Sequence, residues 1–302
     1  MKRLLIVALP VVVCVGAAGA QSAPVVSKFE VAGIPVIFKP IRANDVVAAR
    51  LYIRGGSANL TANNAGIESL MLSSVTEGTA KYKKDAFTAL ATSTGTAIGA
   101  DVNVDYSVLT LQAVRQHWTE AWDLFTEAAL RPTFPAAELE IVRGQLVNAA
   151  KRRTDDPDTH LNLLADSLLY AGHAYSMLPA GTAASLGGIT RDALATWHRE
   201  RMAKENLLIV VVGNVSRADL EAGIRTAFGS LPAKGRSAGR LAALGEITPD
   251  LLVVKRDLPT NYITGFFGAP SLSDRDYVAF RVATDVLGNR LFEEVRTKRN
   301  MT

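Results

Sequence analysis

Hydrophobic and polar positions alternate over residues 46–54, where Val47, Ala49, Leu51 and Ile53 interleave with Ala48, Arg50, Tyr52 and Arg54. Period-two alternation predicts a half-buried strand with one wet face. Upstream, residues 25–40 hold two short β-rich runs broken at the turn Ala32-Gly33. Downstream the period changes. Ile67, Leu70, Met71 and Val75 recur at helical spacing between the turn signal Asn63-Asn64 and Gly78, which predicts a helix. A further strand is expected over 102–114. Trp118, Ala121, Trp122, Phe125 and Ala129 predict an amphipathic helix closed by Pro132, and helices are expected over 138–153 and 158–170. The continuous apolar run 207–212, bounded by Gly213, has the pattern of a buried strand. Ser216 then caps a helix with Asp219 at the capping-box position and Gly229 as its stop. Strands and helices do not alternate strictly, so the pattern favours α+β over a doubly wound sheet.

Residues 233–249 begin rich in Gly, Ala, Lys and Arg and are expected to link a domain over 21–232 to a second one over 250–302. In the second, strands are expected at 251–254 and 262–267 and a helix over 276–287. Here the order of features repeats. Leu51-Tyr-Ile-Arg-Gly-Gly leads to a helix at Gly66, and Ile263-Thr-Gly-Phe-Phe-Gly leads through Pro270-Ser-Leu-Ser to a helix at Asp276. Either the chain is duplicated, with its second copy cut off at Thr302, or this is the strand, turn and helix succession of any α+β chain.

Met1-Lys2-Arg3, the apolar run 4–15 and Ala18-Gly19-Ala20 form a Sec-type signal peptide over 1–20, which addresses the chain to the periplasm. The run is short for a membrane span and contains Pro10, and no later stretch approaches one. The 302 residues are 48% hydrophobic and 21% charged, enough apolar chain for a sizeable core. The net charge of +4 includes Lys2 and Arg3, so it falls to +2 when the leader is removed. With no basic cluster either, a nucleic-acid partner is not expected. The one cysteine, Cys14, is also in the leader. Disulfides, thiolate metal sites and cysteine nucleophiles are excluded from the mature chain.

Candidate chemistry is sparse. His117, His160, His173 and His198 never come within metal-ligand spacing of one another and are expected at the surface or in caps. Glu68 and Glu77 read as solvated helix-end carboxylates. Ser73-Ser74 lacks the G-x-S-x-G elbow of a serine nucleophile, and 181–188 lacks the Lys-Ser/Thr ending of a P-loop.

The segment Gly66-Ile-Glu-Ser-Leu-Met-Leu-Ser-Ser-Val-Thr-Glu-Gly-Thr79 resembles the signature helix of the pitrilysin/insulinase zinc metallopeptidases, the inverzincins. Four more stretches keep the family's order: Tyr52-Ile-Arg-Gly-Gly-Ser, Thr154-Asp-Asp-Pro, Val210-Val-Val-Gly-Asn-Val and Leu291-Phe-Glu-Glu-Val-Arg-Thr-Lys-Arg. The resemblance implies two related α/β sandwich domains, the second truncated here. Active members need H-x-x-E-H, with two histidines on one helix face for zinc and a glutamate to activate the bound water, plus a second glutamate as third protein ligand. Ser69 and Ser73 occupy the histidine positions, Leu72 the glutamate, and Ala149 the third ligand. The resemblance therefore implies a chain that is inactive alone and holds no cofactor, with zinc expected only in a partner subunit of the same family. The pair would form a periplasmic chamber that degrades peptides, and Arg296 either matches the family's substrate-holding arginine or is one cation of a charged helix end with Lys298 and Arg299. The alternative is a peptide-binding or assembly protein that acts without a protease. In active relatives an edge strand pairs with the extended substrate; the strand at 47–54 is either such an open edge here or, the reading favoured, an ordinary internal strand.

Overall fold

The structure is a computed structural model that describes residues 26–236, 239, 241–245 and 250–301. The expected signal peptide lies outside the described residues. Six strands form one sheet: β1 (Ser27–Val31), β2 (Ile34–Pro40), β3 (Val46–Arg54), β4 (Ala97–Val102), β5 (Tyr106–Val114) and β6 (Leu207–Gly213). Their order across the sheet is β1-β2-β6-β3-β5-β4, with only β2 and β6 parallel. The turn between β1 and β2 uses Ala32 at φ 54° and Gly33 at φ 85°, where the missing Cβ of glycine relieves one of the two left-handed positions.

The alternation of β3 is realised as expected. Val47, Ala49, Leu51 and Ile53 are essentially buried, while Arg50 and Arg54 stay exposed on the other face. In the sheet it is the ordinary internal strand, not the open edge. β3 is central, bonded to β5 on one side and β6 on the other, so its backbone is consumed by two ladders. The edges are β1 and β4. The strand expected over 102–114 is β5, which starts at Tyr106, and β4 over Ala97–Val102 before it was not expected.

Helices cover one face of the sheet. They are α1 (Ile67–Ser74), α2 (Lys84–Ser93), α3 (Trp118–Leu130), α4 (Ala136–Arg152), α5 (Pro157–Leu169), α6 (Ala183–Gly188), α7 (Arg191–Arg201) and α8 (Arg217–Phe228). Leu70 and Met71 of α1, Leu124 and Phe125 of α3, and Ile224 and Phe228 of α8 join the inward row of β3 in one core. Local chemistry sets the helix starts. Asp156, in the Asp-Asp-Pro stretch, accepts from Thr159 N–H at 2.8 Å with Pro157 following, and Ser216 accepts from Asp219 N–H at 3.0 Å.

Described residues of the 233–249 segment are tied to this domain. Gly239 N–H donates to Asn59 Oδ1 at 2.9 Å, and His173 Nε2 lies 3.0 Å from the Ala242 carbonyl. Beyond it, α9 (Tyr277–Leu291) runs into a π-helical turn at Phe292–Thr297. The strands expected at 251–254 and 262–267 have no ladder partner among the described residues, and Leu251, Ile263 and Phe267 are exposed. An apolar run marks a strand only where another backbone is available to pair with it.

His198 also departs from expectation. It is buried rather than superficial, and its Nε2 donates to the Ala129 carbonyl at 2.8 Å. Burial pushes its pKa down, against the raising effect of that bond. Stability is therefore complete above the unfolded-state value of about 6.5 and is lost as pH falls below it, by at most about 1.4 kcal/mol per pH unit. Thermal unfolding followed at successive pH values should decline in that window, and His198→Gln should flatten the decline. An equal slope in both proteins would contradict this assignment.

Candidate functional site

α1 starts at Gly66, whose φ of +89° suits glycine. A Cβ there would also lie 2.8 Å from the Gly181 Cα, so the start of α1 packs closely on the chain entering α6. Ser69 and Ser73 are four residues apart and share a helix face. Ser69 is almost fully covered, Ser73 is exposed, and Leu72 is packed into the core at 3% exposure. Ala149 is exposed on α4, which packs against α1. Two hydroxyls and two hydrocarbon side chains are a donor set that does not fit zinc, which takes imidazole, thiolate or carboxylate. Among the described residues no cluster of three His, Cys, Asp or Glu side chains could hold a metal ion.

Glu68 and Glu77 are not the solvated pair expected. Glu77 is half-buried and pairs with Lys84 at 2.8 Å. Glu68 is 3% exposed and turned into the protein. Its Oε2 accepts from the Ser107 hydroxyl and from Gly56 N–H at 3.4 Å. Gly55 makes room for it, because a Cβ there would sit 2.6 Å from Oε1. Gly56 has φ +72°, and a Cβ on it would meet the Val104 carbonyl at 2.2 Å. The Gly-Gly of the Tyr52-Ile-Arg-Gly-Gly-Ser stretch thus seats a buried carboxylate and lets the chain pass under the β4–β5 turn. Arg201, fully buried and stacked 4.6 Å from the Trp197 ring, supplies an electrostatic counterpart. Burial lowers the Arg201 pKa and the attraction of Glu68 opposes that.

Beside Ser73 runs β4. Asn103 N–H donates to the Tyr106 carbonyl at 2.8 Å. Counting back along the register, the hydrogen-bonded pairs fall at Asp101↔Val108 and Gly99↔Thr110. Ile98 and Ala100 therefore direct their N–H and C=O groups away from β5. Val102 N–H, also turned outward, is occupied by Asp101 Oδ1 at 2.9 Å. The open stretch is short and carries Ala97, Gly99 and Ala100, with neither Lys nor Pro to guard it. β1, the opposite edge, carries exposed Lys28 and Glu30, and Arg217 of α8 lies 4.0 Å over its Phe29 ring. A rigid mount holds the β4 hairpin. Ser57 N–H donates to the Val104 carbonyl at 2.8 Å and Tyr175 OH to Asp105 at 2.6 Å, a bond that with burial pushes the Tyr175 phenol up to about 12. Between β4 and α1 lies a hollow of 110 Å³. Sequence reasoning missed this edge because the alternation of Ala97–Val102 is diluted by Gly99 and Asp101.

The family model described as Insulinase (Peptidase family M16) matches residues 36–178, and the one described as Peptidase M16 inactive domain matches 188–302. The chain belongs to the M16 family. An uncharacterized zinc protease of Mycobacterium leprae is 26% identical over 280 residues, 89% of this chain and 62% of the relative. The non-peptidase homolog YmxG of Helicobacter pylori is 23% identical over 277 residues, 89% of this chain and 63% of that one. The chain thus spans less than two thirds of these M16 relatives. A crystal structure of a peptidase M16 inactive domain from Pseudomonas fluorescens superposes with a TM-score of 0.67 at 26% identity, covering 73% of this chain and 54% of that one. The first half of the periplasmic protease PqqL from Escherichia coli shares the fold, with a TM-score of 0.65 at 18% identity over 73% of this chain and 49% of that one. The M16 assignment agrees with the mixed α+β architecture. Arg296 is exposed in the π-helical turn, 5.6 Å from the Phe292 ring. No described contact joins it to Ser69, Leu72, Ser73 or Ala149.

Proposed function

We propose that this chain is a catalytically inactive M16 subunit of the periplasm. It pairs with a zinc-bearing partner of the family, helps enclose a peptide-degrading chamber and holds substrate without cutting it. One observation carries this reading: the metal-ligand and base positions hold Ser69, Ser73, Ala149 and Leu72, while the neighbouring edge strand keeps its backbone open. Such an edge can take an extended peptide as one more strand. Zinc enters only with the partner, so no proton transfer or hydrolysis is assigned to this chain's own residues. Their work is to bind and orient. Cleavage of the signal peptide at 1–20 would deliver the chain to that compartment.

Tagging the gene product in its native host and isolating it from the periplasm tests the reading. The expected result is a stoichiometric partner containing H-x-x-E-H and peptide hydrolysis that a chelator abolishes. A chain isolated without such a partner and without hydrolysis would move the function to peptide binding or assembly without a protease. That second reading is favoured by the likeness to a relative described as a non-peptidase homolog.

Arg296 contributes through its guanidinium, whose planar fork matches a peptide carbonyl or carboxylate. Arg296→Ala is expected to lower kcat/KM of the assembled pair by about tenfold, the cost of one charge-assisted hydrogen bond, and to leave pairing on a sizing column intact. Unchanged turnover would remove Arg296 from substrate holding.

A further inference from the structure

At the far edge of the sheet from β4, the strand β1 pairs on one side only, with β2. We infer that its free side docks antiparallel onto β1 of a second copy of this chain, about a two-fold axis through Phe29. The inference goes beyond the function proposed above and does not depend on it. β1 and β4 stand at opposite edges, so the second copy leaves β4 open.

Three observations lead there. The first is the backbone register. Ala32 and Gly33 both have positive φ and close a two-residue hairpin, whose flanking pair Val31↔Ile34 exchanges hydrogen bonds. Bonded and non-bonded pairs alternate in an antiparallel ladder, so Phe29↔Val36 is bonded and Glu30↔Pro35 is not. Pro35 has no N–H to donate, which agrees with that count. Lys28 and Glu30 therefore direct their N–H and C=O groups away from β2, toward solvent.

The second is charge. Lys28 and Glu30 are exposed and have no ion-pair partner among the described residues. Within the hairpin they stand opposite Ile37 and Pro35, which carry no charge. A charged side chain on an edge strand ordinarily keeps foreign strands away. Here the spacing makes the guard complementary to itself. Pairing about Phe29 sets Lys28 opposite Glu30 of the other copy and Glu30 opposite its Lys28, the reciprocal contacts of an isologous interface. Directly opposed residues share a face of the sheet and interact, favourably when their charges are unlike. A shift of the register by two residues in either direction opposes Lys28 to Lys28 or Glu30 to Glu30. The charges thus select one register.

The third is the other face of the strand. Phe29 alternates to the helix-covered side, where Arg217 of α8 lies 4.0 Å over its ring. At the two-fold axis it meets the Phe29 ring of the second copy in a non-bonded pair, the kind in which opposed side chains lie closest. Aromatic pairs across strands add to the attraction. The contact therefore combines main-chain bonds, ion pairs on one face and an aromatic pair on the other.

Sedimentation velocity of the full chain, from micromolar to near-millimolar concentration and with no other protein present, tests this. A dimer should appear as concentration rises, because one short strand pair buries a small interface and binds weakly. Lys28→Glu and Glu30→Lys should each weaken it by about tenfold or more, since like charges then face each other at both symmetric positions. Both positions are exposed, so the thermal unfolding midpoint should stay unchanged. The two variants mixed together should recover the dimer, because each supplies the charges the other lacks. The double variant Lys28→Glu/Glu30→Lys should dimerise like the wild type. A chain that stays monomeric at every concentration would overturn the inference. A dimer that ignores both reversals, or reversals whose mixture remains monomeric, would overturn it as well and place any self-contact away from β1.

Discussion

Replacing Glu68 with alanine should lower the stability of the chain by about 3–5 kcal/mol, the range for removing one partner of a buried charged network. The carboxylate accepts from Ser107 and from Gly56 N–H, and its charge attracts the buried Arg201 guanidinium. Alanine would strand a buried hydroxyl and a buried amide, and leave the Arg201 charge without this opposing carboxylate. Each orphaned donor costs roughly 1–3 kcal/mol. The cavity left beside Gly55 adds to that. In thermal unfolding the midpoint should fall by roughly 10 °C, at about 2–4 °C per kcal/mol for a chain of this size. Glu68→Gln keeps the shape and one acceptor oxygen. It should lose about 1–2 kcal/mol, because a neutral acceptor forms weaker bonds than a charged one. If Glu68→Ala unfolds with the wild type, the carboxylate does not fasten α1 to β5 and the Gly55-Gly56 loop.

Ala100→Pro should weaken peptide binding at β4 while the chain stays folded. The N–H that proline removes points away from β5, so the ladder inside the sheet loses nothing, as with prolines on natural edge strands. A docked peptide loses one main-chain hydrogen bond and meets the ring. Affinity should drop by about tenfold or more, since the bond alone contributes about 1 kcal/mol and the clash adds to it. Gly99→Pro is the control. Its N–H belongs to the pair with Thr110, so proline there breaks the ladder and should destabilise the hairpin itself. Equal peptide affinity for Ala100→Pro and wild type would place the peptide somewhere other than β4.

What the chain reveals to direct reading depends on how far apart the interacting residues lie. The buried row of β3, the turn at Ala32-Gly33 and the Ser216 cap are local patterns. Each was legible. Which strands flank β3 was not, because its neighbours β5 and β6 are set by pairings with residues far along the chain. The burial of Glu68 was hidden for the same reason. Its partners, Gly56 and Ser107, stand 12 and 39 residues away. At β4 the difficulty was composition, since Gly99 and Asp101 suppress the alternation that marks a strand. The apolar runs at 251–254 and 262–267 erred the other way, with strand-like residues and no ladder partner. Ser69, Leu72, Ser73 and Ala149 lay in the sequence. The open edge beside them needed the sheet order.

The most direct measurement is zinc content together with peptide hydrolysis for the purified full chain, before and after its family partner is added. The account predicts substoichiometric zinc and no hydrolysis from the chain alone, with chelator-sensitive hydrolysis once the H-x-x-E-H partner is present. Stoichiometric zinc and hydrolysis by the chain alone would contradict it, because Ser69, Leu72, Ser73 and Ala149 offer neither the ligands nor the base that such an activity requires.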